Sequence, residues 1–382
     1  MVIHRRLALL EAKHYLLLGP RRVGKSTLLK TTLPSAHFVD LLQTDTYYEY
    51  VRSPSLLRER FASLKGTLII DEVQRIPDLI YEVHWLIENT RVRVVVSGSS
   101  ARTLRRGGVT NLAGRLRSAR LFPLTWRELN DAGMTIDLRT LLQFGTLPPV
   151  VLDASDADKQ GTLDDYCGEY LREEVRAEGL VRNVGNFTRF LEIAALSNTA
   201  LLNFASVARD VGVSAKTVQE YFQILEDTLL AYTLEPFVKT KKRRAIRTPK
   251  LYFFDCGLPN TLLRRILSDR TPEYGQSFEQ FCVLEALAAQ HYDKTFGQAR
   301  YFRSASGYEV DLVLDDHTAI EFKTGRVHES DTRGLIALSE DVKLKRRWVV
   351  CTESQPRTLA NGVEVVPWRL YCAALANGLR LD

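Results

Sequence analysis

The sequence predicts an α/β protein made of three modules in a row, and three short patterns predict it. "GPRRVGKS" lies between an apolar run and a stretch of regularly spaced leucines, which is the order strand, phosphate-binding loop, helix. Further on, two amphipathic stretches flank a turn at Gly212, as in a helix-turn-helix. Near the carboxyl terminus, "IEFKTG" ends an apolar run in Glu321-x-Lys323, with the alternation of a strand.

The composition is that of an ordinary folded chain. The 382 residues are 45% hydrophobic and 26% charged, enough for two or three separate cores, and the net charge of +6 is compatible with a polyanionic partner. No apolar run approaches the roughly 18 residues of a membrane span, and the first residues lack a cleavage site, so we expect a cytoplasmic protein that binds no membrane. The five cysteines form no CxxC pair, which favours reduced thiols over a disulfide frame or a zinc site.

The first pattern predicts a nucleotide site. Backbone N–H groups of the glycine-rich loop can close around phosphates, and the positive end of the next helix adds to this attraction. Lys25 is expected to reach the β- and γ-phosphates, and the Ser26 hydroxyl to bind Mg²⁺. The predicted ATP-binding residues are Gly19, Pro20, Arg21, Arg22, Val23, Gly24, Lys25, Ser26 and Thr27.

Two further apolar runs end in polar residues. "TLIID" leads into Asp71-Glu72, where Asp71 would hold magnesium and Glu72 would orient and activate the attacking water. The alternative is an acidic cap for the following helix. "VVVSGSS" places Ser99, with Ser97 in reserve, where a sensor of the γ-phosphate would lie.

Arg115 follows a predicted helix and precedes the next strand. An arginine at this position can stabilise the transition state in a neighbouring subunit, although a solvent-facing arginine is an equal alternative. With "LAGR" at Arg115, the order of these motifs resembles the AAA+ superfamily, specifically prokaryotic ATPases joined to a carboxy-terminal domain of unknown function. The resemblance implies a P-loop AAA+ core over residues 1–130 that uses ATP and Mg²⁺ and assembles into a ring-type homo-oligomer, for which we expect a hexamer.

The middle of the chain predicts a DNA-binding module. Residues 131–185 are interpreted as a helical lid or connector, and residues 186–255 as a winged helix-turn-helix. The core positions of its two helices are Val207, Ala208, Val218, Tyr221, Phe222 and Leu225. The second helix would present Lys216 and Thr217 to a DNA major groove.

Two strand-like runs with a basic segment between them complete this module. The cations would meet DNA phosphates, so binding would depend on salt more than on sequence. The alternative is a protein-contact module whose charges are only solvated. The predicted phosphate contacts are Lys239, Lys241, Lys242, Arg243, Arg244 and Arg247.

Residues 256–382 carry the third pattern. A helix places Glu279 near its start, one strand carries Asp311, and the next carries Glu321 and Lys323. Since Glu321 and Lys323 share one face of the strand, Asp311 and Glu321 could hold a second Mg²⁺, with Lys323 positioning water for attack on phosphorus. This order resembles the PD-(D/E)xK nuclease superfamily and implies a restriction-endonuclease-like α/β domain.

Three alternatives stay open for this domain: acids that only keep an edge strand soluble, a surface ion pair between Glu321 and Lys323, and a nuclease fold that binds DNA or a partner without cutting. The favoured function for the whole chain is an oligomeric, magnesium-dependent ATPase that binds and remodels duplex or branched DNA. The competing hypothesis is an ATP-operated regulatory switch that controls a protein partner.

Overall fold

The structure is a computed structural model that describes residues 1–10, 12–100, 114–170, 184–240 and 242–381, without the side chains of residues 169 and 170. The chain divides into two compact units. The amino-terminal unit comprises Val2–Pro123 together with Ile224–Leu230. The carboxy-terminal unit comprises Met1, Leu124–Gln223 and Ala231–Asp382. Within the described ranges, no helix is both long and apolar enough to cross a membrane.

The amino-terminal unit is built on a parallel five-stranded sheet. Its elements are β1 (Tyr15–Leu18), α1 (Lys25–Thr32), β2 (His37–Asp40), α2 (Thr44–Arg52), α3 (Leu56–Phe61), β3 (Thr67–Asp71), α4 (Leu79–Asn89), β4 (Arg93–Gly98) and β5 (Arg117–Arg120). The strand order is β2-β3-β4-β1-β5, and every pair is parallel. The central strands β1, β3 and β4 are buried, and they form the continuous apolar runs seen in the sequence.

This strand order fixes where a ligand can bind. The chain leaves β1 for the edge strand β2, returns through β3 and β4, and then crosses to the other side of β1 for β5. In open α/β sheets, ligands bind outside the carboxyl ends of the strands where the chain changes direction. The phosphate loop, Asp71 and the "SGSS" stretch all follow strands that end at this edge.

The core of the amino-terminal unit includes one residue from much later in the chain. Leu229 is 2% exposed and belongs to the same buried cluster as Ile70, Leu79 and Val96. It lies in the segment Ile224–Leu230, which is counted with this unit. One residue from beyond position 223 therefore joins a core cluster whose other members all precede residue 124.

The carboxy-terminal unit combines a helical region with a mixed sheet. Its elements are α5 (Trp126–Asp131), α6 (Leu138–Phe144), α7 (Pro148–Leu152), α8 (Asp156–Asp165), α9 (Val184–Leu196), α10 (Phe204–Val211), α11 (Ala215–Asp227), β6 (Ala231–Leu234), β7 (Lys250–Phe253), α12 (Gly257–Leu262), α13 (Pro272–Tyr292), β8 (Ala299–Arg303), β9 (Glu309–Leu314), β10 (Thr318–Lys323), α14 (Arg333–Ser339), β11 (Arg346–Cys351), β12 (Arg357–Thr358), β13 (Glu364–Pro367) and α15 (Trp368–Ala376). The end of α11, from Ile224 onward, is counted with the amino-terminal unit. The large sheet has the order β12-β13-β11-β10-β9-β8. Strands β8, β9 and β10 form an antiparallel meander, while β10, β11 and β13 run parallel.

The two helices of the predicted helix-turn-helix are present. Gly212, with a φ of 80°, ends α10, and α11 begins three residues later. The inward positions expected from the sequence are buried, and the ring of Phe222 lies 4.8 Å from that of Phe190 on α9. Aromatic packing against α9 therefore holds the pair of helices together.

The basic segment that follows does not simply connect the two predicted strands. Strands β6 and β7 pair as predicted, but the residues between them lie along β8, the edge strand of the large sheet. Phe237 N donates to Tyr301 O at 2.6 Å, and Ile246 N donates to Arg303 O at 2.8 Å. The physical reason is that an edge strand offers unpaired backbone groups, and this segment satisfies them.

Candidate functional sites

The phosphate loop is shaped by two glycines. Gly24, with a φ of 94°, precedes α1, and no side chain caps the first turn of that helix, so its N–H groups are left for a ligand. A Cβ on Gly19 would lie 2.7 Å from the carbonyl oxygen of Leu121. This glycine therefore lets the loop pack against the chain that leaves β5.

Arg5 lies outside the motif and braces the loop. Its Nη1 donates to the carbonyl of Val23 at 2.7 Å, and its Nη2 donates to those of Phe122 at 2.6 Å and Pro123 at 3.2 Å. Sequence reasoning missed Arg5 because nothing in the spacing of "HRRLALL" connects it with the loop. The buried guanidinium links the phosphate loop to the end of the sheet.

Lys25 is buried beneath the loop. Its Nζ donates to the carbonyls of Gly19 at 2.9 Å and Pro20 at 3.1 Å, and lies 3.4 Å from Glu72 Oε1. The ammonium is thus held at the carboxyl end of β1, where the sequence predicts the phosphates of a nucleotide.

Asp71 ends β3 and contacts two hydroxyl groups. Ser26 Oγ donates to its Oδ2 at 2.5 Å, and Ser97 Oγ donates to its Oδ1. A carboxylate and a hydroxyl are hard oxygen donors, and Mg²⁺ at nucleotide sites is held by one or two such groups together with phosphates. The residues present therefore fit a magnesium nucleotide.

Glu72 does not act as a helix cap, which was the alternative for this pair of acids. It precedes a short 3₁₀ turn over Val73–Arg75, and its side chain makes no capping hydrogen bond. Its φ of 59° turns the chain back, so that Gln74 Nε2 donates to Glu72 Oε2 at 2.5 Å and to Ser99 Oγ at 3.1 Å. Gln74 was not predicted as a site residue, because the left-handed turn that brings it to Glu72 has no recognisable sequence motif.

The electrostatics keep Glu72 ionised. Burial alone would raise the pKa of this carboxyl, but the charge of Lys25, the hydrogen bond from Gln74 and the charge of Arg21 outweigh it, so the pKa lies below its ordinary value. A buried carboxylate held ionised beside a phosphate loop can accept a hydrogen bond from water.

The two predicted sensor serines contact different acids. Ser97 accepts a hydrogen bond from Glu72 N at 3.3 Å and also contacts Asp71, so it supports the end of β3. Ser99 Oγ lies 3.4 Å from Glu72 Oε2. Of the two, Ser99 is therefore the one that contacts the carboxylate of Glu72, and the sensing role itself stays a prediction.

Arg115 lies on the opposite edge of the sheet from its own phosphate loop. It is exposed, forms an ion pair with Glu88, and precedes β5, whose first residue pairs with Tyr15 at the start of β1. A strand of four residues spans roughly 13 Å, so Arg115 cannot reach its own loop. Action in a neighbouring subunit stays a prediction, and the helix expected before Gly114 lies outside the described residues.

A second cluster of charged side chains lies in the carboxy-terminal unit, where Asp311 from β9 and Glu321 from β10 are buried and Glu279 from α13 is partly buried. Phe322 N donates to Asp311 Oδ2 at 2.9 Å, and Lys323 Nζ lies 2.9 Å from Glu321 Oε1. The residues predicted from three separate segments thus meet. Burial, and secondly the charge of Asp311, raise the pKa of Glu279 to about 7 and that of Glu321 well above its ordinary value.

Lys250, at the start of β7, is the residue of this cluster that sequence reasoning missed. Its Nζ lies 3.0 Å from Glu279 Oε1, 2.6 Å from Glu309 Oε1 and 3.6 Å from Asp311 Oδ1. As they lie, these acids do not fit a magnesium ion, because an ammonium already fills the space between them. In the ranges that the structure describes, no three His, Cys, Asp or Glu side chains are arranged to hold a metal. Each of the two acids predicted to hold a second magnesium ion already contacts an ammonium group, Asp311 that of Lys250 and Glu321 that of Lys323.

The cations of the basic segment fall into two groups. Lys239 pairs with Asp316, and Arg243 pairs with Glu340 at 2.7 Å and Asp341 at 3.2 Å. The side chains of Lys242, Arg244 and Arg247 are exposed. Residues Arg243, Arg244 and Arg247 line an open cavity of about 660 Å³. Lys241, also predicted to contact DNA, lies outside the described residues.

The start of α11 is partly available to a ligand. Lys216 is exposed, whereas Thr217 is half-buried and its N donates to Ser214 Oγ at 3.1 Å. Ser214 therefore caps α11, and Lys216 is the more accessible of the two predicted base-contacting residues.

The parallel sheet, the phosphate loop and the acids at the end of β3 together define a phosphate-loop ATPase domain. Residues 11–130 match the family model described as an AAA domain. Residues 135–268 and 274–371 match two models described as domains of unknown function, DUF8612 and DUF4143. The predicted AAA+ resemblance is confirmed for the amino-terminal domain.

The similar curated proteins each match most of the chain. It is 30% identical over 370 residues to the uncharacterized protein Rv2008c of Mycobacterium tuberculosis, covering 95% of this chain and 81% of that protein. The chain belongs to the family of this mycobacterial protein. An uncharacterized protein of Haemophilus influenzae is 22% identical, covering 81% of this chain and 79% of that protein. The solved structure of the Aeropyrum pernix ORC1 protein in complex with DNA superimposes with a TM-score of 0.27 at 14% identity, covering 66% of this chain and 86% of that one.

Proposed function

We propose that this chain is a magnesium-dependent ATPase that acts as a homo-oligomer and couples ATP hydrolysis to the binding and remodelling of DNA. The observation that carries the ATPase part is the meeting of Lys25, Ser26, Asp71 and Glu72 at the carboxyl ends of β1 and the neighbouring strands. No other group of described residues combines a phosphate loop with a buried, ionised carboxylate.

The residues of the site divide the work of hydrolysis. Magnesium, when bound, neutralises charge on the β- and γ-phosphates, and Ser26 and Asp71 would hold it. Lys25 would exchange its carbonyl partners for phosphate oxygens. Glu72 would orient the attacking water and accept its proton, while Gln74 holds the carboxylate in place.

The DNA part of the proposal depends on the exposed cations of the carboxy-terminal unit. Lys242, Arg244 and Arg247 are exposed, and two of them line the cavity of the basic segment. Lys216 adds a cation at the start of α11. Lys239 and Arg243 are weaker candidates, because nearby acids already neutralise them.

That neutralisation also favours a second candidate function. Asp316, Glu340 and Asp341 hold part of the basic segment against the large sheet, which leaves fewer cations for phosphates than the sequence suggests. A module with a partly neutralised surface suits protein contacts better than strong DNA binding. In this alternative, ATP operates a regulatory switch that controls a protein partner.

The ATPase rate of the full-length protein, measured with single-stranded, duplex and branched DNA, separates the two functions. Turnover stimulated by DNA supports the remodelling ATPase. Slow turnover that is indifferent to every DNA supports the switch.

A matched binding experiment tests the phosphate contacts. Replacing Lys242, Arg244 and Arg247 by alanine should weaken binding alike for unrelated sequences and make the salt dependence shallower by up to about 2.7 for duplex DNA. The control is Lys239→Ala, which removes a cation of the same segment that is paired with Asp316. An unchanged salt slope in the triple variant would place DNA binding elsewhere.

A further inference from the structure

The carboxylate cluster of the carboxy-terminal unit is built around the ammonium of Lys250. The side chain of Lys250 is only 4% exposed, and its Nζ lies within 3.6 Å of oxygens from Glu279, Glu309 and Asp311. The ring of Tyr301 lies 5.7 Å from the same nitrogen. A lysine buried this deeply is stable only because acids surround it.

The surroundings of Lys250 hold it in place. Tyr252, two residues along β7 and on the same face, donates to the same Oε1 of Glu279 at 2.7 Å. The backbone of Lys250 pairs with Leu234 on β6 and bridges to Leu201. The position of the ammonium is therefore fixed from both the backbone and the side chain.

The charges explain why the lysine and a divalent ion exclude one another. The carboxylates Glu279, Glu309, Asp311 and Glu321 contact the cations Lys250, Arg303 and Lys323. A divalent ion among these acids would lie within a few ångströms of the ammonium and be repelled by it. Without Lys250, the cluster would carry two more negative charges than positive ones when fully ionised, which a single divalent ion could balance.

We propose that Lys250 takes the place of a metal ion in this cluster, so that the carboxy-terminal domain keeps a nuclease-like arrangement of acids without binding a divalent cation or cutting DNA. Removing the lysine opens a divalent-cation site. Glu321 Oε2, which is buried and has no hydrogen-bond partner among the described residues, is an oxygen that such an ion would use.

Thermal unfolding of the full-length protein without nucleotide tests the proposal. We compare the wild type, Lys250→Ala and Asp311→Asn, each with EDTA, Mn²⁺ or Ca²⁺. The midpoint of the wild type should not depend on the ion. In EDTA, the unfolding midpoint of Lys250→Ala should lie several degrees below that of the wild type. It should recover with Mn²⁺ or Ca²⁺, because the bound ion then neutralises the charge of the buried acids.

A matched control and a cleavage assay complete the design. Lys239→Ala removes a lysine of the same unit that pairs with Asp316 at the surface, and should show no ion-dependent change. Wild-type protein should cut no DNA with Mg²⁺ or Mn²⁺. None of these readouts involves ATP, so they are independent of the proposed ATPase function.

Three outcomes would overturn the proposal. One is an ion-dependent midpoint in the wild type that is lost in Asp311→Asn. Another is DNA cleavage by the wild type that Asp311→Asn abolishes. The third is a Lys250→Ala protein that folds but gains no stability from either ion. If Lys250→Ala does not fold, the wild type and Asp311→Asn are titrated directly with Mn²⁺. Mn²⁺ binding by the wild type but not by Asp311→Asn would contradict the proposal that Lys250 takes the place of the metal ion.

Discussion

At the scale of single residues, Glu72 is the group that we propose activates water in the nucleotide site. Its carboxylate is held by Lys25 and Gln74 and is kept ionised. Glu72→Gln keeps the shape but cannot accept a proton, so ATP should still bind while turnover falls at least ~100-fold. Steady-state ATPase assays and binding of a fluorescent ATP analogue measure the two effects.

Two further variants serve as comparisons in the ATPase and nucleotide-binding assays. Lys25→Ala should lose affinity for the nucleotide itself, because the cation beneath the loop is removed. Glu59→Gln changes an exposed carboxylate of the same unit and should leave both quantities unchanged. Hydrolysis at the wild-type rate by Glu72→Gln would show that another group activates the water.

Asp255 makes the stability of the protein depend on pH. It accepts hydrogen bonds from Thr146 N at 2.7 Å and Gly257 N at 2.8 Å, yet burial raises its pKa to about 6. The folded state thus binds this proton more tightly than the unfolded state. The stabilisation is fully present below about pH 4 and is lost as the pH rises through about 6.

Asp255→Asn should remove this contribution. Relative to the wild type, the free energy of unfolding of the variant should rise with pH by up to about 3 kcal/mol between about pH 4 and pH 7. Urea unfolding at several pH values measures it. A difference between the two proteins that is constant with pH would mean that Asp255 does not titrate in this range. Glu279, whose pKa is also raised, should make the free energy of unfolding of both proteins depend on pH in the same way.

At the scale of elements, α14 packs against β9 through a glycine. A Cβ on Gly334 would lie 1.7 Å from the carbonyl oxygen of Glu309. Gly334→Ala should therefore push the helix from the strand that carries the acids around Lys250, and destabilise the protein by about 1–3 kcal/mol. Chemical denaturation measures the change.

Gly161 in α8 is the matched control. A Cβ there meets nothing within 4 Å, so Gly161→Ala gains helix propensity and should stabilise the protein by up to about 1 kcal/mol. Equal effects of the two substitutions would show that the contact between α14 and β9 is not close.

Elements and sites encoded by neighbouring residues could be predicted from the sequence. The phosphate loop, the acids after β3 and the helices flanking Gly212 each depend on short spacings. Lys250 could not be predicted, because it lies 29 residues from Glu279, on a strand, and reaches that helix residue only in the folded chain.

The surface charge of the basic segment could not be predicted from the sequence either. Its lysines and arginines are visible in the sequence, but Asp316 lies 77 residues from Lys239 and Glu340 lies 97 residues from Arg243. Because these acids meet the lysine and the arginine only in the folded chain, the composition alone overestimates the positive charge that the segment presents to a polyanion. Arg5 and Gln74 were missed for a related reason, since backbone turns, not spacing, bring them to the site.

At the scale of the whole molecule, the position of Arg115 makes oligomerisation testable. It precedes β5 at the end of the sheet opposite its own phosphate loop, so a role in ATP hydrolysis would require the site of another subunit. Neither Arg115→Ala nor Glu72→Gln should hydrolyse ATP well alone. Mixing them should restore part of the activity, because some interfaces then pair an intact arginine with an intact glutamate.

A second pair of variants and the oligomeric state of the protein serve as controls for the mixing experiment. Mixing Glu72→Gln with Lys25→Ala places both lesions in the nucleotide-binding half and should restore nothing. A protein that stays monomeric with ATP at every concentration would leave Arg115 as a surface residue paired with Glu88.

The late contribution of Leu229 to the amino-terminal core has a consequence for synthesis on the ribosome. Chains grow from the amino terminus, so the first 123 residues emerge about one hundred residues before the segment that fills their core. Until then the site of Leu229 is an apolar gap, and a cavity of this size costs several kcal/mol. The nucleotide domain should therefore reach its full resistance to proteolysis only after Leu230 has emerged. A fragment that stops at residue 130 should be less stable than the same domain within the complete chain.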